Sequence, residues 1–147
     1  MKPKFQKLYM TIAGEVAKMS HARRLQVGAI VVKDDRVISI GYNGMPAGWD
    51  NNCEDEIKWP NGDIKFLTTK PEVLHAETNA IAKLAKSSDS GSGADLFVTH
   101  SPCLDCAKLV YQSGIRRVMY RDSYRSSEGI DFLTRSGIEV IKLESDA

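Results

Sequence analysis

Three side chains in this sequence have the chemistry of a metal site: His75, Cys103 and Cys106. One imidazole and two thiolates are donors that suit zinc, and three donors mean something different from four. A structural zinc is normally closed by four protein ligands. A catalytic one keeps a position for water and lowers that water's pKa to about 7. Glu77 stands two residues past His75, close enough to move protons without occupying the metal. The cysteines lie in Pro102-Cys103-Leu104-Asp105-Cys106, at the expected start of a helix, where N–H groups and the positive dipole end favour thiolates. Pro102 suits such a start because it has no N–H to leave unpaired. Each half also has a plainer reading: C-x-x-C serves redox pairs and zinc ribbons, and a His before a helix is commonly a cap or a surface residue. Their joint presence, with Glu77 in place, favours hydrolytic metal chemistry.

The elements that must hold these groups follow from periodicity. Phe5, Leu8, Ile12, Val16 and Met19 recur at helical spacing and predict one buried helix face. Arg23 and Arg24 come next, readable either as solvated charges or as phosphate ligands. Residues 27–32 and 37–40 are short apolar runs joined by Lys33-Asp34-Asp35-Arg36, which predicts a β-hairpin. The stretch Gly41 to Gly48 reads as a turn and is neither a Walker loop nor a dinucleotide fingerprint. Residues 49–74 read as irregular, with Asn61-Gly62 able to turn a small hairpin into residues 64–67. His21 and Cys53 are weighed as a second metal pair, but they read better as an exposed residue and a buried small hydrophobe. From Ala76 a helix runs to Lys86. Then follow a strand at 96–99, the cysteine helix up to Gly114, a strand at 118–120, a helix at 128–136 and a strand at 140–143. After the opening hairpin, strands and helices alternate. That order predicts crossovers and a three-layer α/β/α fold, with a mixed five-stranded sheet covered by helices on both faces.

Composition sets the outer limits. A chain of 147 residues fits one domain, 1–147, that buries roughly two-thirds of its unfolded surface. Twenty Lys and Arg against nineteen Asp and Glu give a net charge of +1, unlike the basic excess of a dedicated nucleic-acid binder. With two cysteines given to metal, only Cys53 is left over, which suits a reducing cytoplasm. No signal-peptide core follows Met1, and no apolar run reaches membrane-spanning length. A cytoplasmic protein is expected.

The arrangement H-x-E…P-C-x-x-C is the signature of zinc nucleobase deaminases. From Phe5 to Leu143 the chain resembles the zinc-dependent cytidine and deoxycytidylate deaminase family. Beyond the metal motif, the likeness rests on Val27-Gly28-Ala29-Ile30, on Gly41-Tyr42-Asn43-Gly44-Met45-Pro46, and on Cys106-Ala107-Lys108 with Gln112-Ser113-Gly114-Ile115. Thr78 replaces the Met or Leu usual in the family's His-Ala-Glu-x-Asn-Ala. The insertion before His75 is shorter than in relatives that hold a second zinc there.

The resemblance implies that His75, Cys103 and Cys106 hold Zn2+ and that Glu77 relays protons. It also implies substrate contacts from Ala76, from Asn43 at the sugar, from Arg24 at the 5′-phosphate, and from Tyr124 and Arg125 at the nucleotide. The implied reaction is hydrolysis of dCMP to dUMP and ammonia, by water attack at C4 of cytosine, feeding thymidylate synthesis. A homo-hexamer activated by dCTP with Mg2+ and inhibited by dTTP is implied as well. A nucleic-acid deaminase, such as one acting on tRNA, would share the metal motif, but the near-neutral charge and Tyr42-Asn43-Gly44 speak against it. A non-catalytic zinc-binding domain would have no need of Glu77.

Overall fold

In a computed structural model the chain is described from Met1 to Glu144; the expected domain end at Ala147 lies outside the described residues. The order is α1 (Pro3–Ala17), β1 (Gly28–Lys33), β2 (Arg36–Tyr42), β3 (Glu54–Lys58), β4 (Ile64–Thr69), α2 (Ala76–Ala85), β5 (Asp95–His100), α3 (Leu104–Gln112), β6 (Arg117–Asp122), α4 (Glu128–Arg135) and β7 (Glu139–Lys142). Five strands form one sheet in the order β2-β1-β5-β6-β7. β1 runs antiparallel to both β2 and β5, whereas β5, β6 and β7 are parallel. The parallel pairs require crossovers, which α3 and α4 supply. The expected mixed sheet and three layers are therefore present.

Strand alternation splits the core in two. Ala29, Val31, Leu96, Val98 and Val118 face α2, α3 and α4. Ile30, Val32, Phe97 and Met119 face α1 on the other side. Period-two side-chain placement alone produces this division. The β1–β2 turn is closed by Asp34 and Asp35, with φ of 52° and 58°, as a two-residue hairpin of this hand requires.

The buried face of α1 is not the expected one. Tyr9, Met10, Ala13, Val16 and Ala17 are buried, whereas Phe5, Leu8 and Met19 are exposed and only Val16 is shared with the predicted stripe. The reason lies in β1. A Cβ at Gly28 would overlap the Ala13 carbonyl and sit 2.5 Å from the Ala17 nitrogen, so the helix presses Ala13 and Ala17 closest to β1, and Tyr9, Met10 and Val16 follow on that face. Gly41 does the same for α2: a Cβ there would overlap the Ala76 carbonyl and lie 2.6 Å from the Ala80 nitrogen. Gly41 thus belongs to β2 and permits a close helix approach rather than forming the turn its sequence suggested.

The segment 49–74 is more regular than expected. It contains the two-stranded antiparallel sheet β3–β4, turned near Asn61-Gly62 with Gly62 at φ +92°. Its side chains are largely exposed apart from Cys53 and Glu54. Among the described residues no helix is long and apolar enough to cross a membrane.

Candidate active site

The first turns of α2 and α3 meet beyond the C-terminal end of β5. His75 is the N-cap of α2, in extended conformation, and its side chain makes no capping hydrogen bond. Its imidazole is thus available elsewhere: Nδ1 lies 3.2 Å from Cys106 Sγ and 3.6 Å from Cys103 Sγ. Cys103 is the N-cap of α3 and Cys106 stands in its first turn, so the C-x-x-C spacing puts both sulfurs on one side of that turn. Pro102 precedes the cap rather than opening the helix, because Cys103 itself takes the extended cap geometry (φ −69°, ψ 169°).

The three donor atoms all lie within 4.8 Å of one another. Hydrogen bonding from Cys106, then from His75, pushes the Cys103 thiol down to about 4. The Cys106 thiol is pushed up by that same bond to Cys103 and by burial. The shared bond thus favours ionisation at one sulfur over the other, and binding a divalent cation would release the thiol proton that remains. Donor type, number and convergence fit zinc with one coordination position left over. Among the described residues, His21 and Cys53 join no such group; His21 is exposed and Cys53 buried.

Glu77, 4% exposed, lies on the first turn of α2. Burial raises its carboxyl to about 7. A carboxyl balanced near neutrality both takes and gives a proton, as acid–base work at pH 7 requires.

A cavity of about 440 Å³ extends from His75, Ala76, Glu77 and Cys103 to Arg24 and to Tyr124 and Arg125. Ala76 is fully buried and has only main-chain polar atoms to present. All the sequence-predicted site residues except Cys106 line this one cavity, Asn43 included. Asn43 is also a brace: its Oδ1 accepts the Val27 N–H at 2.8 Å and its Nδ2 donates to the Leu25 carbonyl at 2.7 Å. That leaves one amide hydrogen for another partner. Arg24 Nη1 donates to Thr69 Oγ1 at 2.9 Å. The Arg125 guanidinium sits 5.9 Å from the centre of the Tyr124 ring.

Other groups at the cavity carry no sequence motif. Buried Ser101 accepts the Tyr124 N–H on its Oγ at 2.6 Å, while its own N–H donates to the Asp122 carbonyl at 2.9 Å. His100 lies between Thr99 Oγ1 (3.2 Å) and Asp122 Oδ2 (3.7 Å). Glu54, from the hairpin, closes the wall beside Arg24. In sequence Glu54 opens an acidic run, Glu54-Asp55-Glu56, that looks like a solvated face; only strand alternation hints that one of its members points inward.

A mixed α/β sheet with a His/Cys/Cys centre and a buried glutamate at the starts of two helices defines a zinc-dependent deaminase architecture. The profile of the cytidine and deoxycytidylate deaminase zinc-binding region matches residues 3–122, and the chain belongs to that family. Among solved structures, the dCMP deaminase of cyanophage S-TIM5, in complex with dCMP and dUMP, is 44% identical with a TM-score of 0.86, covering 97% of this chain and 99% of that one. The deoxycytidylate deaminase of Enterobacteria phage T4 is 34% identical, over 91% of this chain and 87% of its own length. The ComE operon protein 2 of Bacillus subtilis is 34% identical, over 94% of this chain and 70% of its own.

Proposed function

We propose that this protein deaminates dCMP hydrolytically, giving dUMP and ammonia. One observation carries the reading: a single cavity is lined by His75, Cys103 and Glu77 and also by Arg24 and Arg125. That combination of functions suits a nucleotide with its base at the metal and its phosphate at an arginine. The likeness to the S-TIM5 dCMP deaminase along nearly the whole of both chains supports it.

His75, Cys103 and Cys106 would hold Zn2+, which when bound supplies a water acidified toward neutrality. Glu77 takes a proton from the attacking water and delivers it to N3 of cytosine. The C4–O bond forms and the C4–N bond breaks. Glu77 then assists departure of the amino group as ammonia. Asn43 faces the sugar, Arg24 receives the 5′-phosphate through paired hydrogen bonds of the guanidinium, and Tyr124 and Arg125 contact the nucleotide. The regulatory part of the reading rests on the family resemblance: a homo-hexamer, activation by dCTP with Mg2+, inhibition by dTTP, and supply of dUMP for thymidylate synthesis in the cytoplasm.

The test is ammonia release from dCMP, dCTP, deoxycytidine, cytosine and tRNA side by side. The highest kcat/KM is expected for dCMP; a preference for tRNA or for an unphosphorylated substrate removes the reading. For regulation, dCTP with Mg2+ should turn sigmoidal dCMP kinetics hyperbolic and dTTP should oppose it. Kinetics indifferent to both would remove that part alone.

A further inference from the structure

The β3–β4 hairpin stands apart from the main sheet, and its sequence is charged and largely exposed. Glu54 is the exception, at 1% exposure. A carboxylate in that position is costly unless its oxygens are met by donors. Its Oε2 is met by two consecutive main-chain groups, accepting the Arg23 N–H at 2.8 Å and the Arg24 N–H at 3.0 Å. Its Oε1 is buried without a hydrogen bond and faces Arg23 Nε at 3.5 Å. Directly across the hairpin, in register with Glu54, stands Thr69, whose hydroxyl accepts from the Arg24 guanidinium. One rung of the hairpin therefore grips Arg24 at both ends, by its peptide N–H and by its side chain.

The two neighbouring arginines are treated differently. The Arg23 side chain meets carboxylates, Glu56 at 3.1 Å and Glu54 at 3.5 Å. For Arg24 the partner is a neutral hydroxyl, and no ion pair to it occurs among the described residues. Arg24 thus lines the cavity held in place but with its charge uncompensated, the condition for recognising an anion. We infer that Glu54 is a positioning residue which, together with Thr69, presets Arg24 for the 5′-phosphate of the substrate. The inference rests on the proposed nucleotide-monophosphate reading of the same cavity. Its physical basis is preorganisation: a guanidinium already fixed by its own backbone and by a second hydrogen bond loses less freedom when phosphate arrives.

The readout is the ratio of kcat/KM for dCMP over deoxycytidine, with zinc content and thermal unfolding measured on every variant. Arg24→Ala should collapse the ratio. Glu54→Ala should lower it by roughly tenfold to a hundredfold, the scale of one or two lost charge-assisted bonds, mainly through KM for dCMP. Glu54→Gln keeps an acceptor oxygen and should recover most of it. Thr69→Val is nearly isosteric at an exposed site and should lower the ratio by about threefold. In an Arg24→Ala background, Glu54→Ala should change the ratio by less than about twofold, because a residue acting through Arg24 has nothing left to position.

If Arg24→Ala collapses the ratio while Glu54→Ala and Thr69→Val leave it at the wild-type value, or depress both substrates equally, the inference is overturned and the phosphate reading stands. An unchanged ratio in Arg24→Ala overturns both. Should Glu54→Ala fail to fold, Thr69→Val decides: an unchanged ratio there overturns the inference and a fall supports it.

Discussion

Two groups of residues that line the cavity are held by different means. In the metal group, the reactive side chains stand on the first turns of α2 and α3, whose backbones are fixed by helical hydrogen bonds and packed on the sheet through fully buried Ala76, Ala80 and Ala107. The second group, Arg24, Tyr124 and Arg125, comes from segments without regular structure. Those segments are held instead by side chains that bond to backbone: Glu54 to residues 23 and 24, Asn43 to residues 25 and 27, Ser101 to residue 124. On the proposed reading, reaction chemistry is thus placed by periodic structure and substrate choice by individual polar braces. The second can change by point substitution while the first stays intact.

Substitutions in each group should therefore have different signatures. Cys103→Ala should be the most severe, abolishing both bound zinc and measurable deamination; full zinc occupancy by elemental analysis of that variant would refute its place at the metal. Glu77→Gln comes next, with fold and zinc retained and kcat reduced by at least about a hundredfold, the lower scale of acid–base contributions. Activity near wild type would remove Glu77 from the proton path. Among the braces, Ser101→Ala releases the Tyr124 N–H and should lower kcat/KM for dCMP by roughly threefold to tenfold with zinc content unchanged, the worth of one partly buried hydrogen bond. Loss of zinc in that variant would show that the two groups are not separable.

The smallest effect is in pH dependence. Burial pushes the His100 imidazole below its ordinary pKa, outweighing Asp122, which raises it, while Arg121 lowers it further. The unfolded chain therefore takes up this proton before the folded one does. Stability present above the unfolded pKa of about 6.5 is lost as pH falls through the lower folded value. His100→Gln cannot titrate, so its Tm should fall less than that of wild type between about pH 7.5 and about pH 5. Parallel falls by calorimetry would show that His100 does not carry the acid sensitivity.

The same contrast decides what was legible in the sequence. The metal donors could be read because each lies at a helix start with short, fixed spacing to its partner, Glu77 to His75 and Cys106 to Cys103. The β1–β2 hairpin could be read from two apolar runs around Asp34-Asp35. The braces could not, since Glu54 meets Arg23 across 31 residues and Ser101 meets Tyr124 across 23, and neither distance leaves a pattern. The face of α1 was misjudged because large side chains were counted, whereas the deciding contact was between Gly28 and two alanines. The regularity of 54–69 was hidden by its charge: strands that form a separate two-stranded sheet need little apolar alternation, and only Asn61-Gly62 marked the turn.

Gly41 gives the metal site a dimensional tolerance. The distance from β2 to the first turn of α2 is set by a carbon atom that is absent, and Ala76, whose carbonyl occupies that clearance, is bonded directly to His75. A methyl group added at Gly41 would act as a shim between strand and helix. It would shift the first turn of α2, and His75 with it, relative to the two sulfurs on α3, at a site whose cation accepts nitrogen and sulfur donors only within narrow distances. The placing of a candidate metal ligand therefore depends in part on Gly41, a residue that does not line the cavity.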